Sequence, residues 1–189
     1  MARREVLNVT VCLMSLIGDN VFTVTVTQHQ QIEVKRVTRS NRNRHLFRQL
    51  AYESCNAVFD PPEHDRILFT YDVHSPNNKL LVAVACYSAA WRHLSEPIGT
   101  SFLDNYYHII TYIFVKRGYK DQGIGSEIIH SMEREMMGHV RRPIRLQSAS
   151  KAAGFFVRLG YAAVGETVNC ICGGSALFSE LINMEKAII

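Results

Sequence analysis

No stretch of the 189 residues approaches the ~20 consecutive apolar side chains that a bilayer-spanning helix needs. The sequence therefore predicts a soluble protein with no membrane partner. Cysteine is sparse, and its pattern is unpaired: the five residues, Cys12, Cys55, Cys86, Cys170 and Cys172, are odd in number and scattered. That argues against a disulfide framework and for a reducing compartment, the cytoplasm. Cys170 and Cys172 have no second close pair of Cys or His to complete four ligands, so no metal is expected, and the pair reads as one face of a strand. Internal repeats and low-complexity segments are also missing. Neither charge sign dominates: 21 Lys and Arg against 17 Asp and Glu leave a formal +4. The densest basic group, Arg36, Arg39, Arg42, Arg44 and Arg48, is explained by a solvated helix face, and no nucleic-acid partner is expected.

What is present is ordinary globular material, 47% hydrophobic and 20% charged, enough for one well-buried core and too short for two. Residues 6–17 follow Arg3 and Arg4 and faintly resemble a secretory signal. Asn8, Thr10 and Ser15 interrupt that stretch, and Val9, Val11 and Leu13 alternate with more polar neighbours. With the turn residues Gly18, Asp19 and Asn20 and a second alternation at Phe22, Val24 and Val26, an N-terminal β-hairpin over 1–31 reads better.

From Ile32 the pattern becomes a strand to Thr38, then a helix capped by Ser40 with Leu46, Phe47, Leu50, Ala51, Ala57 and Val58 at helical spacing, ended by Pro61 and Pro62. Strands over 67–74 and 80–87 form a hairpin. Residues 88–105 read as a long loop, a natural place for substrate contacts. A strand over 106–115 is dense in β-branched and aromatic residues. Ile124, Ile128, Ile129, Met132 and Met136 lie on one helical stripe, with Gly138 as its stop. A short strand at 144–147, a helix at 149–159 and two closing strands at 161–172 and 177–184 complete the chain. Hairpins first, then strands alternating with helices, imply an α+β or mixed α/β fold: a twisted central sheet with helices on both faces.

The informative segment runs Val115-Lys116-Arg117-Gly118-Tyr119-Lys120-Asp121-Gln122-Gly123-Ile124-Gly125-Ser126, a glycine-rich turn between a buried strand and an amphipathic helix. The first turn of a helix exposes unpaired N–H groups at the positive end of its dipole, and glycine lets a phosphate approach them. A Walker A loop would need Lys and Ser or Thr after Gly123, where Ile124 and Gly125 stand. A Rossmann fingerprint would need glycine at Ile128.

The segment resembles the acyl-CoA loop of the GNAT superfamily, Gln or Arg, two residues, Gly, one residue, Gly or Ala, read here from Lys120 to Gly125 with Lys in the first place. A second segment, Ala149 to Tyr161, is similar to that superfamily's Asn-x-x-Ala-x-x-Phe-Tyr-x-x-x-Gly-Phe helix. Ala152, Phe155, Gly160 and Tyr161 match, whereas Ala149 and Phe156 depart. The resemblance covers roughly residues 32–186 and implies a GNAT-like, mostly antiparallel sheet, with the acetyltransferase domain over 32–189 and the hairpin outside it.

The resemblance implies transfer of acetyl from acetyl-CoA to a primary amine through a tetrahedral oxyanion held by backbone N–H near Val115. Cofactor contacts are expected from Phe114, Val115, Lys116, Lys120, Asp121, Gln122, Gly123, Ile124, Gly125, Ser126, Ala152, Phe155 and Phe156, with Arg117 as a further cation. The positions where family members often carry a basic Glu or His correspond to Ile109 and Thr111, neither of which serves. His108 is the nearby candidate base, and His93 and Glu96 could act through water. The family's usual acidic Tyr is replaced by Phe156, which leaves Tyr161 or Tyr119 as candidate proton donors. Those departures keep an alternative open, a catalytically weak acyl-CoA-binding module with a regulatory or interaction role. A homodimer through the exposed edge of the hairpin is a further expectation.

Overall fold

In the computed structural model of the chain, residues 31–75, 78–90, 106–169 and 180–187 are described. The predicted N-terminal hairpin, most of the 88–105 loop with Trp91, His93 and Glu96, and the Cys170–Cys172 pair lie outside these residues. The elements run β1 (Gln31–Val37), α1 (Asn41–Cys55), β2 (Arg66–Ser75), β3 (Asn78–Ser88), β4 (His108–Val115), α2 (Ile124–His139), β5 (Ile144–Ala149), α3 (Ala153–Arg158), β6 (Ala162–Ala163), β7 (Val168–Asn169) and β8 (Glu180–Lys186).

The strands form one sheet in the order β1-β2-β3-β4-β5-β8-β6, with β7 also on β8. Every pairing is antiparallel except β4 with β5. The mostly antiparallel α+β architecture expected from the sequence is the one observed, and no described helix is long and apolar enough to cross a membrane. Six consecutive residues of β3, Val82 to Tyr87, are fully buried because both faces of the sheet are covered. On one face, α1 lays Phe47, Leu50 and Ala51 over Ile67, Phe69, Val84, Cys86 and Phe114. On the other, the Ile124, Ile128, Ile129, Met132 and Met136 stripe of α2 packs over Leu68, Ala83, Ala85, Tyr87, Ile110, Ile144 and Leu146. Each fully buried aliphatic or aromatic side chain contributes about 1.5–3 kcal/mol.

Ser40 caps α1 as expected, its hydroxyl accepting from the Asn43 N–H at 3.1 Å. The helix ends earlier than Pro61, at Asn56, whose left-handed backbone (φ 61°) turns the chain while its N–H bonds to Tyr52 O. Gly138, expected as the stop of α2, lies inside the helix, which continues to His139. The predicted 149–159 helix is shorter: Ala149 completes β5, a 3-10 turn covers Ser150–Ala152, and α3 begins at Ala153.

Two features of β4 define the centre of the molecule. Its parallel pairing with β5 stops after Ile110↔Leu146, so the two strands separate from residue 111 onward. Its pairing with β3 jumps from Tyr87↔Ile110 to Cys86↔Tyr112, which makes Thr111 the extra residue of a β-bulge. The bulge resets alternation. Ile110 faces α2, Tyr112 and Phe114 face α1, and Ile113 and Val115 return to the α2 side.

Candidate functional site

The site grows from the gap where β4 and β5 part. Lys116 N–H donates to Val82 O of β3 at 2.9 Å. Because successive strand N–H groups point to opposite edges, those of Val115 and Ile113 point to the other edge, where β5 has already left. Two backbone donors thus line the open side of the strand.

The chain then turns through Arg117–Tyr119 and reaches α2 with Asp121 at φ 62° and Gly123, the N-cap, at φ 79°. No side chain caps this helix, and Glu127 N–H, bonded to Gly123 O at 3.1 Å, is its first amide with an acceptor. Among the described residues, the N–H groups from Gly123 to Ser126 have no partner, so they converge at the positive helix end beside the gap. The two glycines of this turn differ. A Cβ on Gly123 would meet nothing within 4 Å, whereas one on Gly125 would stand 3.2 Å from Phe155 Cζ. Gly125 is therefore small so that Phe155 can pack on α2, and Gly123 leaves open space above its amide. This is the observation on which the fit to a pyrophosphate rests.

The turn is anchored on three sides. The phenol of Tyr119 hydrogen-bonds to buried Asp72 of β2. Arg117 donates to Asn56 Oδ1 at 2.8 Å, and Lys116 lies 3.3 Å from Glu53 of α1. Gln122 Nε2 donates to Gly118 O at 2.9 Å. Of the cations expected near a phosphate, Lys116 and Arg117 are engaged by α1, and Lys120 is exposed at the turn.

Phe155 and Phe156 form an edge-to-face pair at 5.0 Å and pack with Ala153 against the α2 core, so the two sequence segments meet in space. Ala152 ends the 3-10 turn that precedes them. Phe114 points the other way, among Phe47, Phe59 and Tyr112 under α1, so only its backbone can face the gap.

The structure corrects two of the titratable candidates, His108 and Tyr161. His108 is fully buried; its Nδ1 accepts from Ala90 N–H at 3.0 Å and its Nε2 donates to Val140 O at 2.8 Å. Burial lowers its pKa although the Val140 bond opposes this, and a neutral ring with both nitrogens engaged has no site for a substrate proton. It ties the start of β4 to the end of α2. Tyr161 is likewise buried, with its hydroxyl donated to Glu133 Oε1 at 2.9 Å, and Lys186 Nζ lies 2.8 Å from the same oxygen. Burial, and then the Glu133 charge, push its pKa far up, so it is a structural link between α2 and β8 rather than a proton donor.

One group was not visible from the sequence. The hydroxyl of bulged Thr111 donates to Asp65 Oδ2 at 2.5 Å, 46 positions away along the chain. Asp65 is half-buried on the α1 face of the sheet, beside Cys86 and Tyr112, and burial raises its pKa although the Thr111 bond opposes this. On the same face, β5 and β8 carry the cross-strand pairs Arg145–Glu185, at 2.9 Å, and Gln147–Asn183, at 3.1 Å, with Arg145 also donating to Tyr107. Among the described residues, no three His, Cys, Asp or Glu side chains could hold a metal ion.

The sequence model of the acetyltransferase (GNAT) domain matches residues 72–170, just over half of the chain. Solved structures share the fold. The ribosomal-protein-S18-alanine N-acetyltransferase from Escherichia coli superposes with a TM-score of 0.61 at 10% identity, over 84% of this chain and 96% of its own. An acetyltransferase from Bacillus subtilis in complex with CoA gives 0.56 at 10% identity, over 84% and 100%. The histone acetyltransferase HPA2 and related acetyltransferase from Corynebacterium glutamicum gives 0.56 at 14% identity, over 84% and 97%. No curated protein matches the sequence.

Proposed function

The chain belongs to the GNAT acetyltransferase family, and from that premise we propose that it is an N-acetyltransferase that moves the acetyl group of acetyl-CoA directly to a primary amine. The observation that carries this reading is the run of amides from Gly123 to Ser126, which have no partner among the described residues, opening beside the edge of β4 that β5 leaves after Ile110. Those amides would hold the diphosphate, with Asp121 and Gln122 shaping the turn and Lys120 supplying a mobile cation. Phe155, Phe156 and Ala152 would wall the far side of the gap. Acetyl-CoA supplies the activated thioester carbonyl. The Val115 and Ile113 N–H groups are the chain's donors for negative charge developing there, fixed in advance by the pairing of β4 with β3. The acceptor would approach from the α1 face, where Asp65, Arg145 and Glu185 lie.

With His108 and Tyr161 occupied and Phe156 in place of a phenol, no described side chain is an evident acid for the thiol. A thiol of pKa about 8.5 leaves as thiolate without one. Mixing the protein with acetyl-CoA and a panel of primary amines, and following free thiol, tests the reading. Thiol release that depends on both reactants supports it. Acetyl-CoA binding without release for any amine would favour a binding module, the reading that the missing phenol supports.

A further inference from the structure

A primary alkylamine has a pKa of about 10.4, so an acceptor arrives at pH 7 as an ammonium ion and must lose a proton before it attacks. The two strand positions expected to supply a base hold Ile109 and Thr111, and His108 is sealed in the core. The chain nevertheless places a carboxylate at this point from elsewhere. Asp65 leaves the α1–β2 connection just before β2, and the Asp65 side chain crosses above Cys86 of β3 to meet the hydroxyl of Thr111 on β4. Thr111 is the bulged residue, and without the bulge the alternation of β4 would place Thr111 and Tyr112 on opposite faces. Alternation from Ile110, which faces α2, puts the Thr111 hydroxyl on the face where the acceptor would arrive, and the bulge turns Tyr112 to that same face. Two residues on, roughly 7 Å along the strand, the Ile113 N–H points into the gap.

We propose that Asp65 is the general base that takes the proton from the acceptor ammonium, and that Thr111 is its positioning residue. The inference rests on the acetyltransferase reading above. In the step, one ammonium proton passes to the Asp65 carboxylate and from there to solvent. The nitrogen lone pair forms the N–C bond to the acetyl carbonyl, the C–S bond breaks, and the second proton lost as the amide forms balances the departing thiolate. Asp65 is suited to accept and release a proton: it is half-buried, it accepts hydrogen bonds from the Thr111 hydroxyl and the Cys86 thiol, and burial raises its pKa. The groups that face it are the Cys86 thiol and the Tyr112 phenol from the sheet, and Arg39 and His64 from the flanking connections. Cys86 is held as a neutral thiol by burial, and Arg39 is committed to the carbonyls of Pro61 and Pro62, so neither takes the role.

The test uses the full chain with Asp65→Asn and Thr111→Val, acetyl-CoA, a panel of primary alkylamines and, separately, hydroxylamine, which is already neutral at pH 7. For Asp65→Asn we expect unchanged acetyl-CoA affinity, a loss of 10²-fold or more in kcat with alkylamines, and little loss with hydroxylamine. The acidic limb of the kcat/KM profile should disappear in Asp65→Asn and shift in Thr111→Val, a change that a merely structural contact would not produce. An Asp65→Asn protein that acetylates alkylamines at the wild-type rate, with the wild-type pH profile, overturns the base while leaving the transferase reading intact. A wild-type protein that acetylates hydroxylamine but no alkylamine also overturns it. A wild-type protein that neither binds acetyl-CoA nor releases thiol overturns the transferase reading itself.

Discussion

At Gly123 two demands fall on one residue, a left-handed backbone and empty space above the amide. Gly123→Ala places a Cβ where an L-residue is strained by about 1–2 kcal/mol. Chemical denaturation should show a loss of that size, and calorimetry should show acetyl-CoA affinity falling at least tenfold. Asp65 presents the opposite balance between stability and function. Its native pKa is raised by burial above the unfolded value, so its protonated form favours the fold below the unfolded pKa, and that advantage is lost as pH rises through the native pKa. At pH 7 the ionised carboxylate weighs against folding. Asp65→Asn should therefore melt higher than wild type at pH 7, and the difference should vanish near pH 3. A lower melting temperature at pH 7 would mean that the bond from Thr111 outweighs desolvation. Neither Asp65 nor the roles of His108 and Tyr161 could be read from the sequence, because residue type and local alternation do not record partners 18 to 46 positions away.

Among the elements, the C-terminus of α1 deserves a direct experiment, since Asn56 both ends the helix in a left-handed conformation and receives Arg117 of the turn that leads into α2. Asn56→Gly keeps the permitted backbone and loses the side-chain acceptor; Asn56→Ala loses both. Unfolding experiments should place the alanine variant about 1 kcal/mol below the glycine variant, while acetyl-CoA affinity changes equally in the two. The helix ends illustrate what pattern reading can reach. The starts of α1 and α2 and the strands β1 to β3 were legible because Ser40, the apolar stripes and the alternating runs are local signals. The early stop at Asn56 was not, because Asn is only one of several residues that tolerate positive φ, and Pro61 looked the stronger signal. The bulge at Thr111 was hidden for a different reason. In the run Ile109-Ile110-Thr111-Tyr112-Ile113-Phe114-Val115 every residue favours a strand and both faces are covered, so no polar side chain marks the change of parity.

Across the whole molecule, the sheet consists of two parts joined where β4 meets β5 over three register pairs, His108↔Ile144, Ile109↔Arg145 and Ile110↔Leu146. On one side, β1 to β4 are clamped between α1 and α2. On the other, β5 to β8 carry α3. Among the described residues, the backbone donors of β4 beyond residue 110 have no sheet partner on that edge, and the amides at the start of α2 have no acceptor. A pantetheine chain lying in the gap would supply partners to both sets at once. The free protein should therefore exchange the Ile113 and Val115 amides and those of Gly123 to Ser126 much faster than the amides of β3. Saturating acetyl-CoA should slow exchange at these six positions together, whereas the interior of β3 should slow only as far as the added global stability dictates. At 100 times the dissociation constant it should also add about 2.7 kcal/mol of stability. Protection of the α2 amides without protection of Ile113 and Val115 would mean that the diphosphate is held but the pantetheine chain does not enter the gap, and the oxyanion role of β4 would then be lost.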